Sequence, residues 1–344
     1  MPEFAARPFL FRSPSGFSRE DSGPTAGPDS PQEGGRSMTP HAPFTVRRLA
    51  DVPPDVLLRL MRSHEKQVSG VATWTREDVL LELGHPGRTD DDGWCLTGFG
   101  EDVLGSATVT ARGDVLHVLL TVLPGRHGPS AARRLLSLAL DRADALAARH
   151  GRRYAVTVGG VLSGDPVLPP VLREAGFSPG LTAGQYAIDL TAPPLPPLLP
   201  DGGALRPAGP GDVATLHTLH RRSRTRGAGA EDAAVFRACF DRLRESGGAA
   251  LQLEVSGRPA GHVLGRVDSL GNGRVTDLAV DPAFRGLGIG YALLTAGLAE
   301  LRARGAVGAL VTLDTDDPYD PEALGRILTV RSVRSVTRFH GEAG

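Results

Sequence analysis

Three glycines at alternate positions carry the first chemical signal in this 344-residue chain. Arg285-Gly-Leu-Gly288-Ile-Gly290 follows the strand-patterned run 275–280 after the spacer Asp-Pro-Ala-Phe, whose proline ends a ladder. The segment leads straight into Tyr291-Ala-Leu-Leu, the apolar opening of a helix. Glycine accepts positive φ and lets successive backbone N–H groups face a ligand. At a helix start those groups and the helix dipole suit a pyrophosphate, with Arg285 a fixed cation at the mouth. A glycine-rich turn that binds nothing is the plainer alternative. The G-x-G-x-x-G dinucleotide fingerprint does not fit, because the spacer intervenes and the third glycine comes one place early.

Proton-handling candidates lie on either side of that turn. Asp277 stands in the strand-patterned run three residues before Val280. A carboxylate there could act as a base or simply sit in a salt bridge. Asp314, Asp316 and Asp317 follow the run 307–313, and Asp320 and Glu322 extend the acidity. Open α/β sheets gather ligands at the C-terminal ends of their strands, so this loop would attract a cationic amine. Arg221-Arg-Ser-Arg-Thr-Arg226 is a basic loop that could take an anionic substrate group. His217 and His220 share a helix face at i,i+3. No third ligand accompanies them, so they read as helix surface and no metal is expected.

The elements that position these groups come in two rounds. Residues 1–42 are rich in Pro, Gly and Ser and read as a disordered tail, with Met38 a second candidate start. The proline-rich stretch 191–203 reads as a semi-rigid linker. It separates 43–190 from 204–344. The first half reads as strand 45–49, helix 55–64, strands 94–99, 103–110 and 115–122, helix 130–150, and strands 154–158 and 186–190. The second reads as strand 204–207, helix 212–220, strands 251–255, 260–267 and 274–280, helix 290–304 and strand 307–313. An offset of 158 lays Val122-Leu-Pro124 on Val280-Asp-Pro282 and Leu135-Leu136 on Leu293-Leu294. One α/β unit has been duplicated. Under that offset Asp277 falls on Leu119, and His127-Gly-Pro-Ser130 falls on Arg285-Gly-Leu-Gly288. The first copy has lost both the acid and most of the glycine turn.

Composition removes whole classes of function. Basic residues number 38 against 39 acidic, for a net charge of -1, which excludes a protein built to coat nucleic acid. Lys66 is the single lysine, so no P-loop or protein-kinase lysine is present and pyridoxal chemistry is all but excluded. Cys95 and Cys239 are the two cysteines, too few for a disulfide framework or a C-x-x-C metal site. The composition fits a reducing, cytoplasmic setting, and no apolar run approaches the ~20 residues of a membrane helix.

The strand, the Arg285–Gly290 turn and the helix after it together resemble the acetyl-CoA motif of the GCN5-related N-acetyltransferase (GNAT) family. Leu205-Arg-Pro-Ala…Asp212 is similar to that family's opening strand and first helix, Gly257-Arg-Pro-Ala-Gly261 to its central hairpin turn, and Leu172-Arg-Glu-Ala-Gly176-Phe177 to its closing element. The resemblance implies an α/β fold of two tandem GNAT-like units, each a mixed, mainly antiparallel sheet flanked by helices. The first would be degenerate and the second would bind acetyl-CoA. Leu278, Ala279 and Val280 would lie beside the pantetheine arm. Arg285, Gly286, Leu287, Gly288, Ile289, Gly290 and Tyr291 would hold the pyrophosphate. The implied reaction is direct attack of a primary amine, on a small molecule or a protein, on the acetyl thioester. Asp277, Asp314 and Tyr319 are the catalytic candidates. One departure stands out: 323–336 lacks the family's Tyr-x-x-x-Gly-Phe, so Tyr319 or water would replace the usual acid. An acyl-CoA-binding regulatory or sensory protein without turnover is the alternative reading. A monomer or homodimer with no nucleic-acid or membrane partner is expected.

Overall fold

A computed structural model describes residues 44–98, 102–224, 231–314, 324–326 and 328–342. The expected tail and Tyr319 lie outside them. The first half runs β1 (Thr45–Arg48), α1 (Pro54–Ser69), α2 (Arg76–Leu83), β2 (Gly93–Thr97), β3 (Val103–Arg112) and β4 (Val115–Val122). It continues through α3 (Gly128–His150), β5 (Ala155–Leu162), α4 (Leu168–Glu174) and β6 (Ser178–Asp189). The second half has β7 (Gly203–Pro207), α5 (Val213–Ser223), α6 (Ala233–Glu245), β8 (Ala249–Val255), β9 (Arg258–Val267) and β10 (Asn272–Val280). Helix α7 (Ile289–Ala303) and strands β11 (Gly308–Asp314) and β12 (Val330–Glu342) follow.

Local chemistry accounts for most boundaries. Helix α1 opens with Pro54, whose missing N–H costs nothing in a first turn, and stops at left-handed Gly70. Thr75 and Asp78 form a reciprocal capping box that starts α2, a helix the polar stretch 65–93 did not announce. Strands β8 and β9 form a hairpin through Ser256 and Gly257, both at positive φ, as a two-residue turn of matching twist requires.

The described strands form one mixed sheet, in the order β1-β2-β3-β4-β5-β12-β6-β11-β10-β9-β8-β7. Only β4–β5 and β10–β11 are parallel pairs. The closing strands are exchanged between halves. Strand β12, from the end of the chain, lies antiparallel between β5 and β6, and β6 lies between β12 and β11. The proline-rich linker marks the division in chain order, while in the sheet each half is completed by the other. Buried Phe339 of β12 accordingly belongs to the first-half core with Val156, Val158 and Phe177. Two buried carboxylates fasten the halves further. Asp78 of α2 pairs with Arg266 of β9 and Arg274 of β10, and Glu65 of α1 pairs with Arg334 of β12.

Alternation sorts the second-half strands into two faces. Leu251 and Val263 face α7 with Leu278 and Val280, whereas Ala250 and Leu264 face α5 and α6. Helix α7 is apolar nearly all round and buried between two clusters, so its N-terminus is held rigidly against the sheet.

Candidate active site

Strand β10 begins the site by leaving its neighbour. It pairs with β11 only at Asn272–Gly308, Gly273–Ala309 and Arg274–Leu310. A bulge between Val275 and Asp277 in the β9–β10 ladder then redirects it. Strand β11 meanwhile follows β6 as far as Asp314. The two parallel strands therefore open into a wedge, and a cavity of about 860 Å³ lies there. From 275 onward one edge of β10 offers backbone groups that β11 does not use. In the first half the corresponding parallel pair holds together for longer. Strand β4 stays paired with β5 through Leu119–Gly159, and the β3–β4 ladder runs without a bulge.

The glycine turn closes one end of the wedge. Asp281 caps the short 3-10 turn Pro282–Phe284 by accepting from the Ala283 N–H at 2.9 Å, and pairs with Arg222 at 2.8 Å. Gly286 and Gly288 have φ of 80° and 73°, and a Cβ on either would meet nothing within 4 Å. Left-handed backbone is therefore what requires glycine there, with open space above. Gly288 is the N-cap of α7, whose first-turn N–H groups have no intrahelical acceptor. At the matching place in the first half Pro129 removes one N–H, and Val167 sits 2.9 Å from where a Gly128 Cβ would be. Gly128 itself is buried there.

Of the ten residues expected to hold the cofactor, Ala279 and Leu287 do not line the cavity and the other eight do. Ala279 is buried on the α5 side of the sheet, and Leu287 is 51% exposed. Asp277 also lines the cavity, but as the centre of a cluster. Its Oδ2 accepts from His220 Nδ1 and His262 Nε2, both at 2.8 Å, and its Oδ1 lies 3.3 Å from Arg224 Nη2. His220 Nε2 reaches Glu231 Oε2 at 2.8 Å, and Glu231 Oε1 lies 3.3 Å from Arg112 Nε of the first half.

These contacts fix the charges. Burial opposes ionisation of Asp277, but the bonds from two imidazoles outweigh it and hold the carboxyl well below its usual range. Burial likewise opposes a charged His220, yet bonds to Asp277 and Glu231 raise its pKa. Desolvation opposes ionisation of half-buried Glu231 as well, and His220 and Arg112 nonetheless lower its pKa. With a carboxylate on each ring nitrogen, His220 is an imidazolium. A carboxyl held so far in its ionised form is a weak proton acceptor. Its geometry is that of an anchor for two imidazoles.

Asp314 ends β11 opposite Ala183. Tyr319 and the rest of the acidic run lie outside the described residues. In the basic loop Arg222 and Arg224 already face Asp281 and Asp277. His262, Glu231 and Arg112 went unnoticed in the sequence, and His220 was read only as helix surface. The available signal was a polar residue in an apolar strand: His262 in Ala-Gly-His-Val-Leu lies diagonally across the β9–β10 ladder from Asp277. His217 bonds the Glu231 carbonyl at 2.9 Å. Among the described residues no group of three or more His, Cys, Asp or Glu could hold a metal.

Residues 213–325, which include the glycine turn, match the sequence model of the Acetyltransferase (GNAT) family. A mycothiol acetyltransferase of Nocardia farcinica (strain IFM 10152) is 30% identical over 273 residues, covering 70% of this chain and 79% of that protein. A solved GCN5-related N-acetyltransferase from Sphaerobacter thermophilus gives a TM-score of 0.68 at 19% identity, over 88% of this chain and 96% of that one. A tandem GNAT protein from the clavulanic acid biosynthesis pathway gives 0.58 at 20% identity, over 88% and 98%. The two structural likenesses concern the fold.

Proposed function

The chain belongs to the GNAT acetyltransferase family and is an N-acetyltransferase; from that premise we propose that it binds acetyl-CoA once, in the second-half wedge, and transfers the acetyl group to a primary amine. The observation that carries this reading is the opening of β10 from β11 onto the same cavity as the Gly288 turn and the Asp277 cluster. The residues present fit the molecule. The Gly288 turn and the start of α7 suit its pyrophosphate, Arg285 adds a cation, and the free edge of β10 suits an arm that carries amides. Acetyl-CoA would supply a thioester for direct attack by the amine.

The chain's own groups would orient and hold charge. Asp277 fixes His220 and His262, and His220 keeps an imidazolium in the wall beside the wedge. Asp314 and Tyr319 remain the proposed proton carriers, supported by Asp314 ending β11 and Tyr319 following it by five positions in sequence. Calorimetry should give one acetyl-CoA site per chain, and a panel of primary amines should drive thioester consumption. Two equivalent sites would overturn the assignment to the second half. Binding without consumption across the panel would overturn turnover and favour a sensory protein.

A further inference from the structure

The cavity continues past β10 to a wall built by the first half. His85, beyond the end of α2, lines it with Arg112, His117, Gly159 and Arg338 of β12. The His117 ring lies across Gly159, where a Cβ would stand 2.3 Å from Nε2, so glycine makes room for that ring. His85 Nδ1 accepts the Gly87 N–H at 3.1 Å, which leaves Nε2–H as a donor. Arg112 Nε is buried without a hydrogen-bond partner, although Glu231 Oε1 lies 3.3 Å away.

Charge at this end is unbalanced. Glu82 is committed to Arg88 at 2.7 Å and to the Thr108 hydroxyl at 2.9 Å. Glu231 and Asp277 are committed to His220. Among the described residues, the cations around them are Arg88, Arg112, Arg224 and the His220 imidazolium, against those three carboxylates. Nearby, Arg266 and Arg274 share the single carboxylate of Asp78. Both imidazoles register the surplus: burial first, then Arg112, lower the pKa of His117 and of His85, and Arg338 adds to the effect at His117. Each ring is therefore a neutral donor. A cationic surplus facing a cavity calls for an anion.

We propose that the first-half wall binds the acceptor, and that the acceptor is a primary amine bearing an anionic group, a carboxylate or a phosphate. The amine would then point toward β10 and the anion toward Arg112 and His85. This rests on the acetyl-transfer reading above, and it makes a polyamine a poor acceptor.

The test uses matched amines with the full chain: amino acids against their amides, O-phosphoethanolamine against ethanolamine, and an amino-sugar phosphate against the amino sugar. The anionic member of the preferred pair should have a kcat/KM higher by about 10-fold or more, the scale of one charge-assisted contact. Which pair leads distinguishes carboxylate from phosphate. His85→Gln and Arg112→Gln should each raise KM for that anionic amine by about 10-fold and leave the acetyl-CoA Kd within about twofold. Neutral members used as well as anionic ones, or an equal loss on both in the variants, would overturn the proposal. Titrating the anionic amines alone by calorimetry separates the two readings. Failure of acetyl-CoA to bind sinks acetyl transfer, whereas failure of every anionic amine to bind sinks this proposal.

Discussion

Gly288 and His220 are the two residues on which the site turns, for opposite reasons. Gly288 matters for what it lacks. At a φ of 73° an L side chain is strained, and its Cβ would project into the space above the turn. Gly288→Asp adds a carboxylate facing a pyrophosphate where screening is weak. We expect acetyl-CoA binding to weaken by at least ~2 kcal/mol, the scale of lost charge-assisted hydrogen bonds. Ser130→Asp, at the matching place in the first half, where Ser130 is exposed, should leave affinity within about a factor of two. Calorimetry on both variants, with circular dichroism as a folding control, checks the pair. Equal affinities would leave the turn only a turn. His220 matters for the charge it carries. Its folded pKa is raised, so its contribution to stability is complete below the unfolded value of about 6.5 and is lost as pH rises through the folded value. Asp277, lowered when folded, contributes above the unfolded value of about 3.9 and loses that as pH falls through its folded value. The cluster is therefore strongest between about pH 4 and 6.5. Urea denaturation from pH 5 to 9 should show wild type losing stability on the alkaline side, and His220→Gln losing less. Parallel profiles would mean that His220 is not an imidazolium.

At the scale of the element, the wedge comes from two strands taking different partners. Strand β10 leaves at its bulge, and β11 stays with β6. Amides on the 275–280 edge should exchange with deuterium faster than those of β4 at 115–119, and acetyl-CoA should slow them selectively. Uniform protection, or none on adding the ligand, would remove the wedge as a binding feature. The glycine turn and the helix after it were legible in the chain, because φ requirements and caps are written in neighbouring residues. Helix α2 was not, since its capping residue Asp78 also pairs with arginines nearly two hundred positions away. The bulge was not legible either: nothing local to Val275 or Thr276 says where β11 goes. His220 was legible as a helix residue and not as part of a site. Its partners come from β10 and from the stretch just before α6, and Arg112 reaches the cluster from the other half.

At the scale of the whole molecule, the exchange of β6 and β12 makes the halves interdependent. Phe339, near the C-terminus, is 2% exposed in the first-half core. Phe339→Ala should therefore cost about 3–5 kcal/mol and weaken residues that lie some two hundred positions earlier. Chemical denaturation with exchange protection read at β5 checks this, and a loss confined to the second half would contradict the sheet order. The duplication was visible as an offset of 158, but a repeat in sequence does not say which copy receives a strand. The exchange also bears on how the chain is made. Strand β12 leaves the ribosome after every other described strand, yet it must enter between β5 and β6, which were synthesised well over a hundred residues earlier. Until β12 emerges, β5 and β6 each carry an unsatisfied edge. Such long-range closure is slow, and open edges invite the wrong partner. The nascent protein therefore passes through a stage in which both halves exist and neither is finished, and this is where a holding chaperone would find it.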